Sequence, residues 1–312
     1  MKTTRIVQKI LSHYEGETPG VKAKLAGILM NGKLGGTGKM IILPVDQGFE
    51  HGPARSFAPN APAYDPHYHY QLAIDAGLNA YAAPLGMLEA GADTFAGQIP
   101  TILKVNSENS LIPYAAHKTQ AITASVDYAL RLGFSEIGFT VYPGSSAALD
   151  MFGDIAEMRK EAAAKGVATV IWSYPRGEAL DKDGETAIDI GAYAAQIAAL
   201  LGAHIIKIKL SSDHLSLPEA KKVYEAQEIN IATQAARVSH CVQSAFDGRR
   251  LMVFSGGAAK GADAVYDDAR AIRDGGGNGS IIGRNSFQRE RGDALAMLSK
   301  LVDIYRGKDG QS

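Results

Sequence analysis

The chain reads as an α/β protein, a single-domain (β/α)8 TIM barrel with short N-terminal helices. Three observations carry that reading. Eight short apolar runs recur between residues 40 and 285, and helix-like segments lie between them. Alternation of this kind implies parallel strands joined by right-handed crossovers. Eight such units in roughly 250 residues match the size of a closed barrel. A doubly wound open sheet is the alternative that shares the alternation.

The first element is an N-terminal extension of about residues 1–38. Ile6, Val7, Ile10, Leu11 and Tyr14 fall at helical spacing, and GVKAKLAGILMNG reads as a second short helix, so both are packing elements. GKLGGTGK follows and invites a phosphate-loop reading. However, Lys33 stands where the first glycine of G-x-x-x-x-G-K belongs, Met40 replaces the Ser/Thr, and the stretch precedes a strand when it should follow one. It reads as a connector. The strands are MIILPVD, LNAYAAPL, TILKVN, EIGFTVY, ATVIWSY, HIIKIKL, LMVFSGG and SIIGRN. The helical segments include PHYHYQLAIDAG, KTQAITASVDYALRLG, ALDMFGDIAEMRKEAAAKG, TAIDIGAYAAQIAALLG and GADAVYDDARAIRDGG, several of which end in glycine as helix C-termini often do. No linker, repeat or low-complexity stretch divides the chain, so residues 1–312 read as one domain.

Composition narrows the chemistry. Lys+Arg is 32 against 33 Asp+Glu, a balance without the electrostatic footprint of a nucleic-acid or membrane binder, which leaves small molecules as the expected partners. The single cysteine, Cys241, excludes an internal disulfide framework and a cysteine-based metal cluster. The N-terminus lacks a signal-peptide apolar region, and no stretch of about 18 apolar residues occurs, so the expected setting is the cytoplasm.

Catalytic groups of a barrel gather at the C-terminal ends of its strands. The polar residues at those ends are Asp46, Lys104, Asn106, Tyr142, Trp172, Tyr174, Lys207, Lys209, Ser255 and Arg284, with Gly256, Gly257 and Gly283 among them. Loops seven and eight of a barrel commonly bind phosphate through glycine N–H groups and a helix N-terminus. SGGAAKGAD supplies a hydroxyl, glycines and a helix start, and GRN supplies a guanidinium able to make a bidentate contact. In HIIKIKLSSD, period two puts Lys207 and Lys209 on one face with Ile205. A lysine desolvated near a second ammonium has its pKa lowered by both effects, and its neutral amine is a Schiff-base nucleophile. The competing reading makes the two lysines structural partners of carboxylates such as Asp46, or places them on an outer face with their stems buried. In VIWSYPRG, Tyr174 shares a face with Trp172. It can exchange protons where the field of a cation lowers its pKa. Arg176 lies just beyond, within reach of a second phosphate. His67 and His69 fall on different faces of their helix, and His51, His117, His204, His214 and His240 are scattered, so neither a metal nor a cofactor is expected.

With these residues assembled, the sequence resembles the archaeal/bacterial-type (DhnA-like) class I fructose-bisphosphate aldolase family. LPVDQGFEHGP, ILKVNSENSL, VIWSYPRG, AHIIKIK, FSGG and IIGRN fall in the family's order and spacing across roughly residues 25–305. The resemblance implies that Lys207 is the Schiff-base lysine, Asp46 its carboxylate neighbour, and Tyr174 the acid/base tyrosine, with Trp172 lining the site. It implies one phosphate site from Ser255, Gly256, Gly257, Gly283 and Arg284, and a second at Arg176. Lys209 joins these as a substrate contact. The activity implied is metal-independent, reversible cleavage of fructose 1,6-bisphosphate to dihydroxyacetone phosphate and glyceraldehyde 3-phosphate, by a homo-oligomer such as an octamer or decamer. The rivals are a Schiff-base aldolase or transferase on another phosphorylated ketose, a non-covalent phosphosugar isomerase or epimerase, and a non-catalytic phosphometabolite-binding protein.

Overall fold

The computed structural model describes residues 2–112, 118–256 and 260–309. Eight strands, β1 (Met40–Pro44), β2 (Ala80–Pro84), β3 (Thr101–Lys104), β4 (Glu136–Val141), β5 (Ala168–Ser173), β6 (Ile205–Lys209), β7 (Leu251–Ser255) and β8 (Gly279–Ile281), run in chain order around a closed barrel. Every neighbouring pair is parallel, and Met40 opposite Gly279 closes the ring. Each strand lies within or overlaps one of the apolar runs.

Period two sorts the strand residues into two cores. Inward-facing Ile42, Ala82, Ile102, Val170, Ile205 and Val253 fill the barrel, and the same cluster takes in Val7, Tyr14, Val21, Leu25 and Ile28 from the N-terminal helices. Those helices, α1 (Arg5–Ser12) and α2 (Pro19–Met30), begin at Thr4 and Thr18, whose hydroxyls accept from the Val7 and Val21 N–H groups at 3.3 Å. Tyr14 Oη donates to the His204 carbonyl at 2.6 Å and accepts from Leu251 N at 3.2 Å, just where β6 and β7 start. The N-terminal extension therefore stoppers the end of the barrel where the strands begin, and the opposite end is left for chemistry. The outward faces pack against the helical sheath in the second cluster.

The barrel floor needs one small residue. A Cβ on Gly138 would lie 2.0 Å from Trp172 Cζ3, so only glycine on β4 lets the indole of β5 lie across the interior.

Two segments differ from the sequence reading. Within KTQAITASVDYALRLG only Val126–Arg131 is helical, because the Ser125 hydroxyl caps the helix there, 3.4 Å from Tyr128 N. Ala121–Ile122 instead pairs antiparallel with Asn106–Ser107. After β6 the chain also forms two helices, Pro218–Ala226 and Gln234–Ser244, that the pattern had not separated.

Glu136 opens β4 on the inward face, fully buried, and neither carboxyl oxygen has a hydrogen-bond partner among the described residues. Burial pushes its carboxyl well above the usual range, opposed by the charge of Lys24. The folded chain thus keeps this proton to a higher pH than the unfolded chain does. Stability falls as pH rises from the ordinary carboxyl range towards the folded value. Glu136→Gln is expected to melt a few degrees higher than the natural chain near neutral pH, with the gap widening as pH rises above the ordinary carboxyl range, since glutamine has no proton to lose on unfolding. Thermal melts from that range upward check it, and a gap that does not grow with pH rejects it.

Candidate active site

A cavity of about 300 Å³ opens at the C-terminal ends of the strands. Asp46, Trp172, Tyr174, Arg176, Lys207, Lys209, Ser255, Gly256, Gly283 and Arg284 all line it. Gly257 and His117 lie outside the described residues.

The strand register sets the centre of the site. Trp172 on β5 stands directly opposite Lys207 on β6, and Lys207 is only 3% exposed. Lys207 Nζ donates to Tyr174 Oη and sits 4.0 Å from the centroid of that ring. Burial, and then the charge of Lys209, push the Lys207 amine well below the usual lysine range, against the pull of Asp46 and Glu50. The shift favours the unprotonated, nucleophilic form of the amine. Lys209, one strand period further out, is 5.9 Å from the Tyr174 ring and 3.8 Å from Glu185. Arg176 Nε is 3.9 Å from the same carboxylate, so the two cations form a pair at the rim.

Tyr174 departs from expectation. Its hydroxyl is pushed well above the usual tyrosine range, first by burial and then by Glu50 and Asp46, and Arg176 and Arg284 offset this only in part. Burial, together with the carboxylates of the loop after β1, outweighs the cations, so the shift at Tyr174 has the opposite sign to the one inferred from its strand neighbours. The residue rests as a neutral phenol, which is a proton donor.

Asp46 pairs with Lys104 Nζ at 3.3 Å, and that lysine on β3 is 2% exposed. Lys104 therefore anchors the carboxylate whose charge Lys207 feels. Asn106 ties β3 to β4, donating to the Thr140 carbonyl at 2.8 Å and accepting from Thr140 N at 2.7 Å. Tyr142 donates to Glu108 and accepts from Gln120, each at 2.8 Å. These two polar residues brace the wall.

At the other side, Gly256 follows Ser255, and a Cβ there would lie 2.3 Å from Asp268 Oδ2 and 3.1 Å from Lys260 Cε. Lys260 and Asp268, an ion pair lining the cavity, were not singled out in the sequence, although the lysine lies within SGGAAKGAD. Asn285 Oδ1 accepts from Lys260 N at 2.8 Å and so links the loops after β7 and β8. A Cβ on Gly283 would come within 2.8 Å of the Pro44 carbonyl, which explains glycine where β8 packs on β1. Arg284 starts the next short helix and makes no ion pair among the described residues.

Glu50, which the sequence reading did not single out, and His51, read there only as one of the scattered histidines, also line the cavity from the helix Gln47–His51. Two of the other described histidines serve elsewhere. His69 sits among Phe57, Tyr81 and Phe287, where burial pushes it down to about 4, and His204 meets Glu17 at 3.2 Å at the stoppered end.

Comparison with known proteins shows the family and the fold. The model of the DeoC/LacD family aldolases matches residues 40–289. A relative from Thermoproteus tenax, named fructose-bisphosphate aldolase class 1, is 35% identical over 273 residues, 87% of this chain and 91% of its own. The crystal structure of an archaeal fructose 1,6-bisphosphate aldolase is 34% identical and superposes with a TM-score of 0.72 over 86% of this chain and 94% of that one. Another archaeal structure, with its catalytic lysine covalently bound to the carbinolamine intermediate of its substrate, is 33% identical with a TM-score of 0.72, covering 86% of this chain and 94% of its own.

Proposed function

We propose, since the chain belongs to the DeoC/LacD aldolase family and within it to the class 1 fructose-bisphosphate aldolases, that Lys207 is its Schiff-base lysine and fructose 1,6-bisphosphate its substrate. The single observation that carries this is the buried Lys207 amine hydrogen-bonded to Tyr174 in a cavity flanked by cations.

The open-chain ketose presents its C2 carbonyl to the Lys207 amine. Addition and loss of water give an iminium, which is an electron sink. Removal of the C4 hydroxyl proton turns that carbon into an aldehyde, the C3–C4 bond breaks, and its electrons pass into an enamine. Tyr174, a neutral phenol, protonates the enamine at C3. Hydrolysis then frees dihydroxyacetone phosphate, and each step runs equally in reverse. Asp46, held by Lys104, lines the same cavity as the amine. Trp172 supplies the apolar floor. Ser255, Gly256, Gly257, Gly283 and Arg284 take one phosphate, and Arg176 with Lys209 takes the other. The charge stabilisation that a bound metal supplies in other aldolases is supplied here by the iminium itself.

The reading extends to one domain over residues 1–312 and to a homo-oligomer, an octamer or decamer, in the cytoplasm. Exposed Leu149 and Leu200 support the oligomer, and the lone, buried Cys241 fits a reducing compartment. Among the described residues no helix is long and apolar enough to cross a membrane.

Intact mass after borohydride reduction tests the chemistry. One dihydroxyacetone phosphate adduct per chain is expected, and no adduct would favour a non-covalent phosphosugar isomerase or a binding protein. Arg284→Ala tests the phosphate site. A charge-assisted contact of about 1.5–3 kcal/mol implies a ten- to hundred-fold rise in KM for the bisphosphate with a much smaller change in kcat. An unchanged KM moves the phosphate elsewhere.

A further inference from the structure

Cleavage needs a base for the C4 hydroxyl, and three oxygen acids lie around Lys207. Asp46 is engaged with Lys104 at 3.3 Å. Tyr174 holds its own proton and is bonded to Lys207. Glu50 stands one helical turn beyond Asp46, its side chain 15% exposed, and lines the cavity. Its one ion-pair contact among the described residues is His51 Nε2 at 3.9 Å. Charges face it from several elements: Asp46 from the end of β1, Lys104 from β3, Arg176 from beyond β5 and Lys207 from β6. Of the charges acting on Tyr142 and on Tyr174, that of Glu50 is the strongest. Glu50 shares the cavity with Tyr174 and the Lys207 amine.

We propose that Glu50 is the base that takes the C4 hydroxyl proton in cleavage and returns it in condensation, an assignment that rests on Schiff-base chemistry at Lys207. The O–H electrons become the C4 carbonyl bond, the C3–C4 pair moves into the C2–C3 double bond, and the iminium nitrogen becomes neutral. Glu50 leaves this step as the acid. Tyr174 then gives its proton to C3, and after the aldehyde departs solvent takes the proton from Glu50 and restores the phenol, so no net proton is gained or lost. Burial, then Asp46, hold the Glu50 carboxyl above the usual range, against Lys104, Arg176 and Lys207. Conversion of the neutral amine into an iminium places a fixed positive charge in front of it. The carboxylate is thereby favoured at the one step that needs a base.

Glu50→Gln keeps the shape and removes the base. Expected are an unchanged borohydride adduct at Lys207 and near-normal exchange of the C3 proton of dihydroxyacetone phosphate, which involves no C4 hydroxyl. Cleavage of the bisphosphate should fall by about 10²–10⁴. The acid limb of the kcat profile should vanish with glutamine and persist, displaced, in Glu50→Asp, which also carries the test if the glutamine variant does not fold. Cleavage within tenfold of the natural rate overturns the proposal, as does a parallel loss of exchange and cleavage, which would make Glu50 structural. Cleavage that survives Glu50→Gln yet is lost in His51→Gln overturns it too, by moving the base to the neighbouring residue. Absence of an adduct in the natural chain would instead remove the reading beneath it.

Discussion

Lys207→Met is expected to abolish turnover and the borohydride adduct together, while Lys209→Met keeps the adduct and loses phosphate affinity. Both substitutions leave an apolar stem of similar length on the same face of β6. They separate the lysines because the surroundings differ. Lys207 is 3% exposed and bonded to Tyr174, while Lys209 stands at the rim, 3.8 Å from Glu185. Burial and Arg176 lower the Lys209 amine, but Glu185 supports its charged form. Removal of a covalent nucleophile costs on the order of 10⁵-fold or more in rate. Loss of a cation at a phosphate costs about ten- to a hundred-fold in affinity. Peptide mapping of the reduced adduct decides which amine reacted, and a label on Lys209 would reverse the assignment.

The barrel and the contents of its mouth were legible because they follow from local rules. Alternation of apolar runs with helical segments implies parallel strands, and period two on HIIKIK puts both lysines on one face whatever the rest of the chain does. Features that depend on closure were not legible. Lys104 and Asp46 belong to strands separated by β2, and their contact exists only once the sheet has curled. Glu50 rides on a five-residue helix too short to carry a periodic signal, and nothing in the spacing of DQGFEHGP shows that it lines the cavity together with Asp46 and His51. The sign of the Tyr174 shift failed for the same reason. Its strand neighbours are cationic, but burial and then the carboxylates of the loop after β1 outweigh them at its hydroxyl. Ala121–Ile122 was read as helix because TQAITASVDYAL has helical composition, and the serine that starts the real helix sits in the middle of it.

Tyr174→Phe sets mechanism against packing most sharply. The phenylalanine keeps the ring beside Lys207 Nζ, 4.0 Å from its centroid, and removes only the hydroxyl that this amine is bonded to. The fold and adduct formation should therefore survive, because the amine is kept unprotonated mainly by burial and by Lys209, neither of which the substitution alters. What is lost is the proton itself. A phenol held neutral by burial and by Glu50 is suited to donate to the enamine at C3, and its removal should slow exchange of that proton by about 10²–10⁴, the usual scale of general acid–base catalysis. Deuterium incorporation into dihydroxyacetone phosphate from heavy water, followed by NMR, measures this step apart from bond cleavage. Near-normal exchange in a folded variant that still forms the adduct would reduce Tyr174 to a wall of the barrel. The proton would then belong to another group at the same end, and Asp46, whose charge already reaches both Lys207 and Tyr174, is the first to substitute.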